Sequence, residues 1–279
     1  MGRLYKYFNI LSLDVALGAT ICSWFVAWFL KVELPLPVSL ILGLTVWLIY
    51  SFDHLLDARQ VQKPASSERH RFHQRYFKSI SYISVIVLMI IAALIFILPI
   101  KTVVWGASIG ALVLAYFILL HFIKVQFRYQ KEMLIAFLYA AGIMVGPLSI
   151  YEEIFNWNIL IIYTQFVMLA LSNLFIFSVF ENEGDEQDGF PSIARNYKPQ
   201  SIKLFLKYFL AVQLALAIIL SFDMAFSWFQ YTVMVMLLAL VAIVWLDSIF
   251  KVKNGYRWLG DAIFLFPLFT LYLQDGWKF

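Results

Sequence analysis

The chain lacks most of what a water-exposed protein depends on. Only 14% of its 279 residues are charged and 63% are hydrophobic, with a mean hydropathy of +0.82. Soluble domains are about 45–50% apolar, so a soluble globular domain is excluded. A single cysteine, Cys22, excludes a disulfide framework or a thiolate metal cluster within one chain. Cations exceed anions only by 21 to 17 and form no patch interleaved with aromatic residues, which excludes a nucleic-acid partner.

What the chain does have is apolar length. Nine runs, 10–31, 36–55, 79–99, 102–121, 133–150, 159–180, 204–222, 228–249 and 257–274, are long enough at 1.5 Å per residue to cross a hydrocarbon core of roughly 30 Å. The expected fold is therefore all-α, a polytopic membrane bundle of nine transmembrane helices that contacts the lipid bilayer. The first run carries Asp14 near its start and has no small-residue cleavage site before Lys31, so it is expected to remain as a helix rather than be removed as a signal peptide. No soluble domain interrupts the pattern, and one membrane domain over 1–279 is expected.

Lysine and arginine beside spans are retained in the cytoplasm. With the N-terminus inside, 18 of the 21 basic residues fall on that side and only Lys31, Lys101 and Lys278 on the other. This predicts a multi-pass protein of the plasma (inner) membrane with its N-terminus cytoplasmic and its C-terminus outside.

Against this background two acidic clusters stand out, Asp53-x-x-x-Asp57 and Glu181-x-x-x-Asp185, each where an apolar run ends in a basic loop on the same side. Carboxylates near a bilayer are expensive without a partner. Four residues apart on a helix, the members of each pair project from one face about 5–6 Å apart at Cβ, where like charges repel. A hard divalent cation relieves that repulsion, and Mg²⁺ held by one or two carboxylates plus substrate phosphates is the usual arrangement. The pairs start at positions 53 and 181, a spacing that suggests two related halves, about 1–125 and 126–279.

The stretch from Glu181 to Ser192 resembles the second aspartate-rich motif of the UbiA-type intramembrane prenyltransferases, D-x-x-x-D-x-x-x-G followed by Thr or Ser. Glu181, Asp185, Gly189 and Ser192 fall on those positions. The first cluster is similar to that family's N-D-x-x-D-x-x-x-D motif, with Asp53 in the Asn position, His54 and Asp57 in the next two, and Val61 in place of the last acid. His54 and Val61 reduce the negative charge available to the first metal, and Asp188 and Glu183 are nearby acids that compensate. The resemblance implies helices around a central cavity. It also implies Mg²⁺ on the acidic residues, an isoprenyl diphosphate bound through that metal, and transfer of the prenyl group to a hydrophobic acceptor within the membrane.

On this reading Asp53, Asp57, Glu181 and Asp185 are catalytic metal ligands rather than bases. Ionising an allylic diphosphate puts charge on leaving oxygens, which metals and cationic side chains neutralise without moving a proton. The loop after the first motif holds Arg69 and Arg71, whose planar forks suit phosphate oxygens. Lys124 and Lys198 are further diphosphate-binding candidates, although retention on the cytoplasmic side also explains basic residues there. Paired histidines in a basic loop, His70 and His73, are more often bystanders than ligands.

Asn173 lies two turns deeper than Glu181 on nearly the same face and is a cavity candidate, with helix-to-helix hydrogen bonding as the competing role. Asp14, Asp247 and Asp261 are isolated polar groups in the spans that should face inward or reach water. With 27 phenylalanines, rings lining a cavity would steady an allylic cation through their faces, although most must pack or face lipid. Alternatives are a terpene cyclase on the same scaffold, or a catalytically silent relative in transport or scaffolding. Transport predicts polar groups along the whole depth of the spans, whereas here the acids concentrate at one end.

Overall fold

The computed structural model of the protein describes residues 3–61, 63–122, 130–152, 157–190, 192–224 and 226–275. Among the described residues the regular structure is entirely helical. The helices are α1 (Arg3–Ile10), α2 (Leu13–Phe29), α3 (Leu36–Gln60), α4 (Glu68–Arg75), α5 (Phe77–Ile95), α6 (Ile100–Phe117), α7 (Gln130–Ile150), α8 (Trp157–Asp188), α9 (Ile193–Asn196), α10 (Pro199–Leu220), α11 (Ser227–Trp245), α12 (Asp247–Lys251), α13 (Gly255–Ala262) and α14 (Pro267–Asp275).

Seven of these are long and apolar enough to cross a membrane: α3, α5, α6 with its π-helical extension, α7, α8, α10 and α11. An eighth crossing is available if α1 and α2 count as one span bent by 77°. The bend sits at Ser12, whose backbone is left-handed at φ 55°. The last apolar run is divided among α13, a 3₁₀ turn at Ile263–Leu265, and α14, which starts at Pro267. Proline lacks the N–H that would continue the preceding helix, which accounts for the break there.

Lipid offers no hydrophobic drive between helices, so close packing and interhelical hydrogen bonds must hold the bundle. Both are present at its centre. In the most apolar stretch of α8, 61% of residues are buried, and in that of α11 50%, against 6% for α5 and 11% for α6, which places α8 and α11 centrally and α5 and α6 at the periphery. Gln165 of α8 and Gln230 of α11 exchange reciprocal amide bonds of 2.8 and 3.1 Å. Gln213 of α10 donates to the Ser172 hydroxyl at 2.9 Å. The ring of Phe25 stacks on Phe229 with centroids 4.5 Å apart.

Close approach also depends on small residues. A Cβ at Gly18 of α2 would lie 2.8 Å from Phe264 Cβ, an atom that cannot retreat without moving its backbone. By contrast, a Cβ at Gly106 of α6 meets nothing within 4 Å. Gly18→Ala is therefore expected to destabilise the protein by about 1–3 kcal/mol through overpacking, despite alanine's better helix propensity. Gly106→Ala should leave stability unchanged or raise it, and thermal unfolding of both variants in detergent checks the contrast. Equal melting temperatures for Gly18→Ala and the parent would contradict the close contact.

Candidate active site

The two acidic motifs occupy the ends of α3 and α8, and the intervening loops hold those ends together. Gly189, at φ 81°, terminates α8 in a left-handed turn, and Phe190 N–H returns to the Asp185 carbonyl at 2.9 Å. A glycine suits this position because it takes positive φ without strain. Asp188 then accepts hydrogen bonds from the backbone N–H and hydroxyl of Ser66, at 2.8 and 2.7 Å, which fastens the α3–α4 loop to the end of α8. Val61, the residue in place of the last acid, packs with Ala65 and Phe190 into a small apolar cluster across the same seam.

Between these ends lies a polar chamber of about 240 Å³ whose wall includes Asp53, Asp57, Glu181, Asp185, Arg69 and Asn173. Both acidic pairs, one predicted arginine and the predicted deeper asparagine thus share one space. Arg69 is 7% exposed, projecting from α4 to donate to the Asn9 carbonyl at 2.9 Å and standing 3.6 Å from Asp261. Asn9 Nδ2 in turn donates to both Asp14 and Asp261, at 2.5 and 2.9 Å. Two of the isolated acids in the spans therefore form the footing of Arg69. Ser192 is buried on the chamber wall, and among the described residues neither its hydroxyl nor Asn173 Oδ1 has a hydrogen-bond partner.

Other expected residues sit elsewhere. Arg71 is exposed and donates to the Ala65 and Ser66 carbonyls at 2.8 and 2.6 Å, bracing the loop rather than reaching the chamber. It lies two positions from Arg69 on α4, about 200° round the helix. Lys198 is exposed at the start of α10, away from the chamber wall. Lys124 lies outside the described residues. Glu183 is exposed and pairs with Lys251 at 3.6 Å, while Asp188 is occupied by Ser66, so neither faces the chamber. Asp247 pairs with half-buried Lys203 at 2.5 Å.

Arg257, Lys131 and His70 line the chamber and are not among the expected site residues. Arg257 of α13 grips Glu181 with two bonds, Nε to Oε1 at 2.7 Å and Nη2 to Oε2 at 2.5 Å, and Tyr256 adds its hydroxyl at 3.1 Å. Glu181, expected as a metal ligand, thus has both oxygens on a guanidinium. Lys131 of α7 is also on the wall. His70 of α4 stands 3.7 Å from Asp57, and burial lowers its pKa, the Asp57 carboxylate partly opposing. Burial also lowers that of His73, to about 4, and its ring donates from Nδ1 to the Arg69 carbonyl at 2.9 Å.

Beside the chamber lies a second, apolar cavity of about 340 Å³ between α3, α5, α6 and α7. Six residues line both: Ile49, Tyr50, Tyr116, Phe117, Ile135 and Tyr139. The arrangement suits a ligand with a compact charged head and a long apolar tail.

No protein-family model matches the chain, and no curated protein matches it by sequence. Solved structures do match, over almost the full length. The apo structure of a UbiA homologue from Aeropyrum pernix K1 superposes with a TM-score of 0.65, covering 98% of this chain and 99% of that one at 14% identity. The chain has the UbiA fold. A UbiA homologue from Archaeoglobus fulgidus, bound to DMAPP and Mg²⁺, matches with a TM-score of 0.58, covering 96% of this chain and 99% of that one at 11% identity. A digeranylgeranylglyceryl phosphate synthase matches equally well at 12% identity, covering 97% and 99%. The UbiA-type architecture expected from two short motifs therefore extends over the whole chain, although only about one residue in eight is shared.

Proposed function

We propose that the protein is an intramembrane prenyltransferase that binds an isoprenyl diphosphate with its head in the polar chamber and its tail in the apolar cavity, and passes the prenyl group to a hydrophobic acceptor, aromatic or lipid. The observation that carries this is the junction of the two cavities at Tyr50, Tyr116 and Tyr139. A transported ion would need no such tail cavity, and the carboxylates cluster at one end of it. The UbiA homologue bound to DMAPP and Mg²⁺ lends the same fold a donor and a metal. The basic-residue asymmetry supports an N-in, C-out orientation in the plasma membrane, and the chain is read as one domain of two related halves.

Mg²⁺ takes oxygen donors and keeps waters and substrate phosphates. Asp53, Asp57 and Asp185 offer such oxygens on the chamber wall, the donor chemistry the ion takes, and are the residues assigned to it. When bound, it neutralises charge on the diphosphate as the bond to the prenyl carbon breaks. Arg69 and Lys131 are placed to hold the diphosphate oxygens, and Arg257 neutralises Glu181 where a second cation would otherwise be required. Asn9, Asp14 and Asp261 keep Arg69 in position. The tyrosines at the neck present rings to the carbon that becomes cationic.

The deciding experiment supplies purified protein in liposomes with geranyl to geranylgeranyl diphosphates and a panel of quinone precursors. Release of diphosphate with a matched prenylated product supports the assignment. Hydrocarbon formed without acceptor would assign a cyclase instead, and absence of release from every donor would overturn the reading.

A further inference from the structure

A basic hollow that shares no lining residue with the chamber lies where the end of α3, the α3–α4 loop, α4 and the start of α5 meet. Arg59 of α3, Lys63 of the loop, and Arg71 and Arg75 of α4 line it, and all four are exposed. Among the described residues no acid shares that lining. Arg71 and Arg75 stand one turn apart on one face of α4, a spacing at which like charges destabilise a helix. A helix C-terminus favours a cation, which accounts for Arg59 and Arg75 singly. It does not account for four cations around one hollow.

Pairing sets these cations apart from others outside the chamber. Lys6 pairs with Glu68, Lys203 with Asp247 and Lys251 with Glu183. Among the described residues no acid pairs with Arg59, Lys63, Arg71 or Arg75. The hollow is also held in shape. Gln74 of α4 accepts from the Ala65 N–H at 3.1 Å and donates to the Val61 and Lys63 carbonyls, both at 3.0 Å, so the loop is wound around one side chain. Lys63 Nζ donates to the Gln187 carbonyl at 2.9 Å. Arg71 commits Nη1 to the loop carbonyls, which leaves Nε and Nη2 as donors. A wall fixed in advance lowers the ordering cost of binding.

Guanidinium forks and an ammonium are the donors that hold phosphate oxygens. The position of the hollow identifies where that phosphate comes from. Phe77, the first residue of α5, lines it, and the preceding Tyr76 is 41% exposed with the Arg75 guanidinium 5.6 Å from its ring centroid. Tyrosines gather at the headgroup level of a bilayer. The helix that starts there is peripheral, with only 6% of its most apolar stretch buried. Basic pockets at that level take anionic lipid headgroups. We infer that Arg59, Lys63, Arg71 and Arg75 form a binding site for the phosphate of an anionic phospholipid, with its acyl chains in the bilayer beside α5. The site lies outside the chamber and does not rest on the transfer reading.

The test uses the full chain, delipidated in detergent and titrated with phosphatidylglycerol or phosphatidylcholine, with bound lipid counted by native mass spectrometry. Phosphatidylglycerol is expected to bind at least about tenfold more tightly than phosphatidylcholine. A cation at the surface is worth about fivefold toward an anionic lipid, so Arg59→Ala and Arg75→Ala together should weaken phosphatidylglycerol roughly 30-fold and leave phosphatidylcholine unchanged. Both residues are exposed, so neither substitution opens the core. Lys198→Ala and Lys253→Ala together remove the same charge from exposed positions outside the hollow and should cost less than about threefold, since more distant charges are screened. Equal binding of the two lipids, or equal losses in the two double variants, would overturn the site. Inorganic phosphate bound as tightly as phosphatidylglycerol would overturn the lipid assignment. Diphosphate release plays no part in the readout, so failure here leaves the transfer reading untouched, and the reverse holds as well.

Discussion

Replacing Asp57 and Asp185 together by alanine is expected to lower diphosphate release by at least about 10³-fold, since removal of even one preorganised charge-stabilising group costs about 10²–10³ in rate. The two residues come from different motifs and line one chamber, so on the proposed function their loss removes oxygen donors contributed by both motifs. Stability should move in the opposite direction or not at all. Each carboxylate stands one helical turn from another, Asp57 from Asp53 and Asp185 from Glu181, and like charges at that spacing are mutually destabilising by about 0.2–0.5 kcal/mol. The check pairs initial rates of diphosphate release, over a range of donor concentration, with thermal unfolding of the same preparation. A rate within tenfold of the parent would reject the role given to these acids. A rate loss accompanied by a large fall in melting temperature would mean that they hold the fold instead.

Much of this site was legible because acids are rare in an apolar chain. Asp53, Asp57, Glu181 and Asp185 stand out against 63% hydrophobic residues, and their four-residue spacing carries its own helical geometry. Asn173 could be placed by the same periodicity, two turns deeper on α8, and it does line the chamber.

The cations were harder to read for a physical reason. Retention on the cytoplasmic side enriches every inner loop in Lys and Arg, so Arg257 and Lys131 looked like topology signals rather than chamber residues. Arg69 and Arg71 looked equivalent until α4 was recognised as a helix; the Ser67 cap was the available signal, and helical periodicity then puts the two guanidinium groups on opposite faces. The Asn9, Asp14, Asp261 and Arg69 network joins residues up to 252 positions apart, a pairing that no local pattern encodes. The broken final segment follows from Pro267, a residue visible in the sequence but outweighed there by hydropathy.

The second large effect concerns the length of the prenyl tail. Along α6 the apolar cavity is lined by Tyr116 at its neck and then by Gly110, Gly106 and Thr102 at increasing depth. At 1.5 Å per residue these lie about 9, 15 and 21 Å from the neck. A Cβ at Gly110 or Gly106 would meet nothing within 4 Å, so a side chain at either position starts into open space on the cavity lining. Gly110→Phe should therefore stop a tail close to the neck, and Gly106→Phe should stop it about 6 Å deeper. A mismatch of even one methylene in an apolar pocket is worth about 10–200-fold in kcat/KM. Geranylgeranyl diphosphate is accordingly expected to lose at least about 100-fold against geranyl diphosphate in Gly110→Phe, and less in Gly106→Phe, with the shorter donor little affected by either. Competition between the two donors, read from the chain length of the product, measures the ratio directly. If both variants keep the parent's donor preference, the tail does not run along α6, and the apolar cavity must hold the acceptor or lipid.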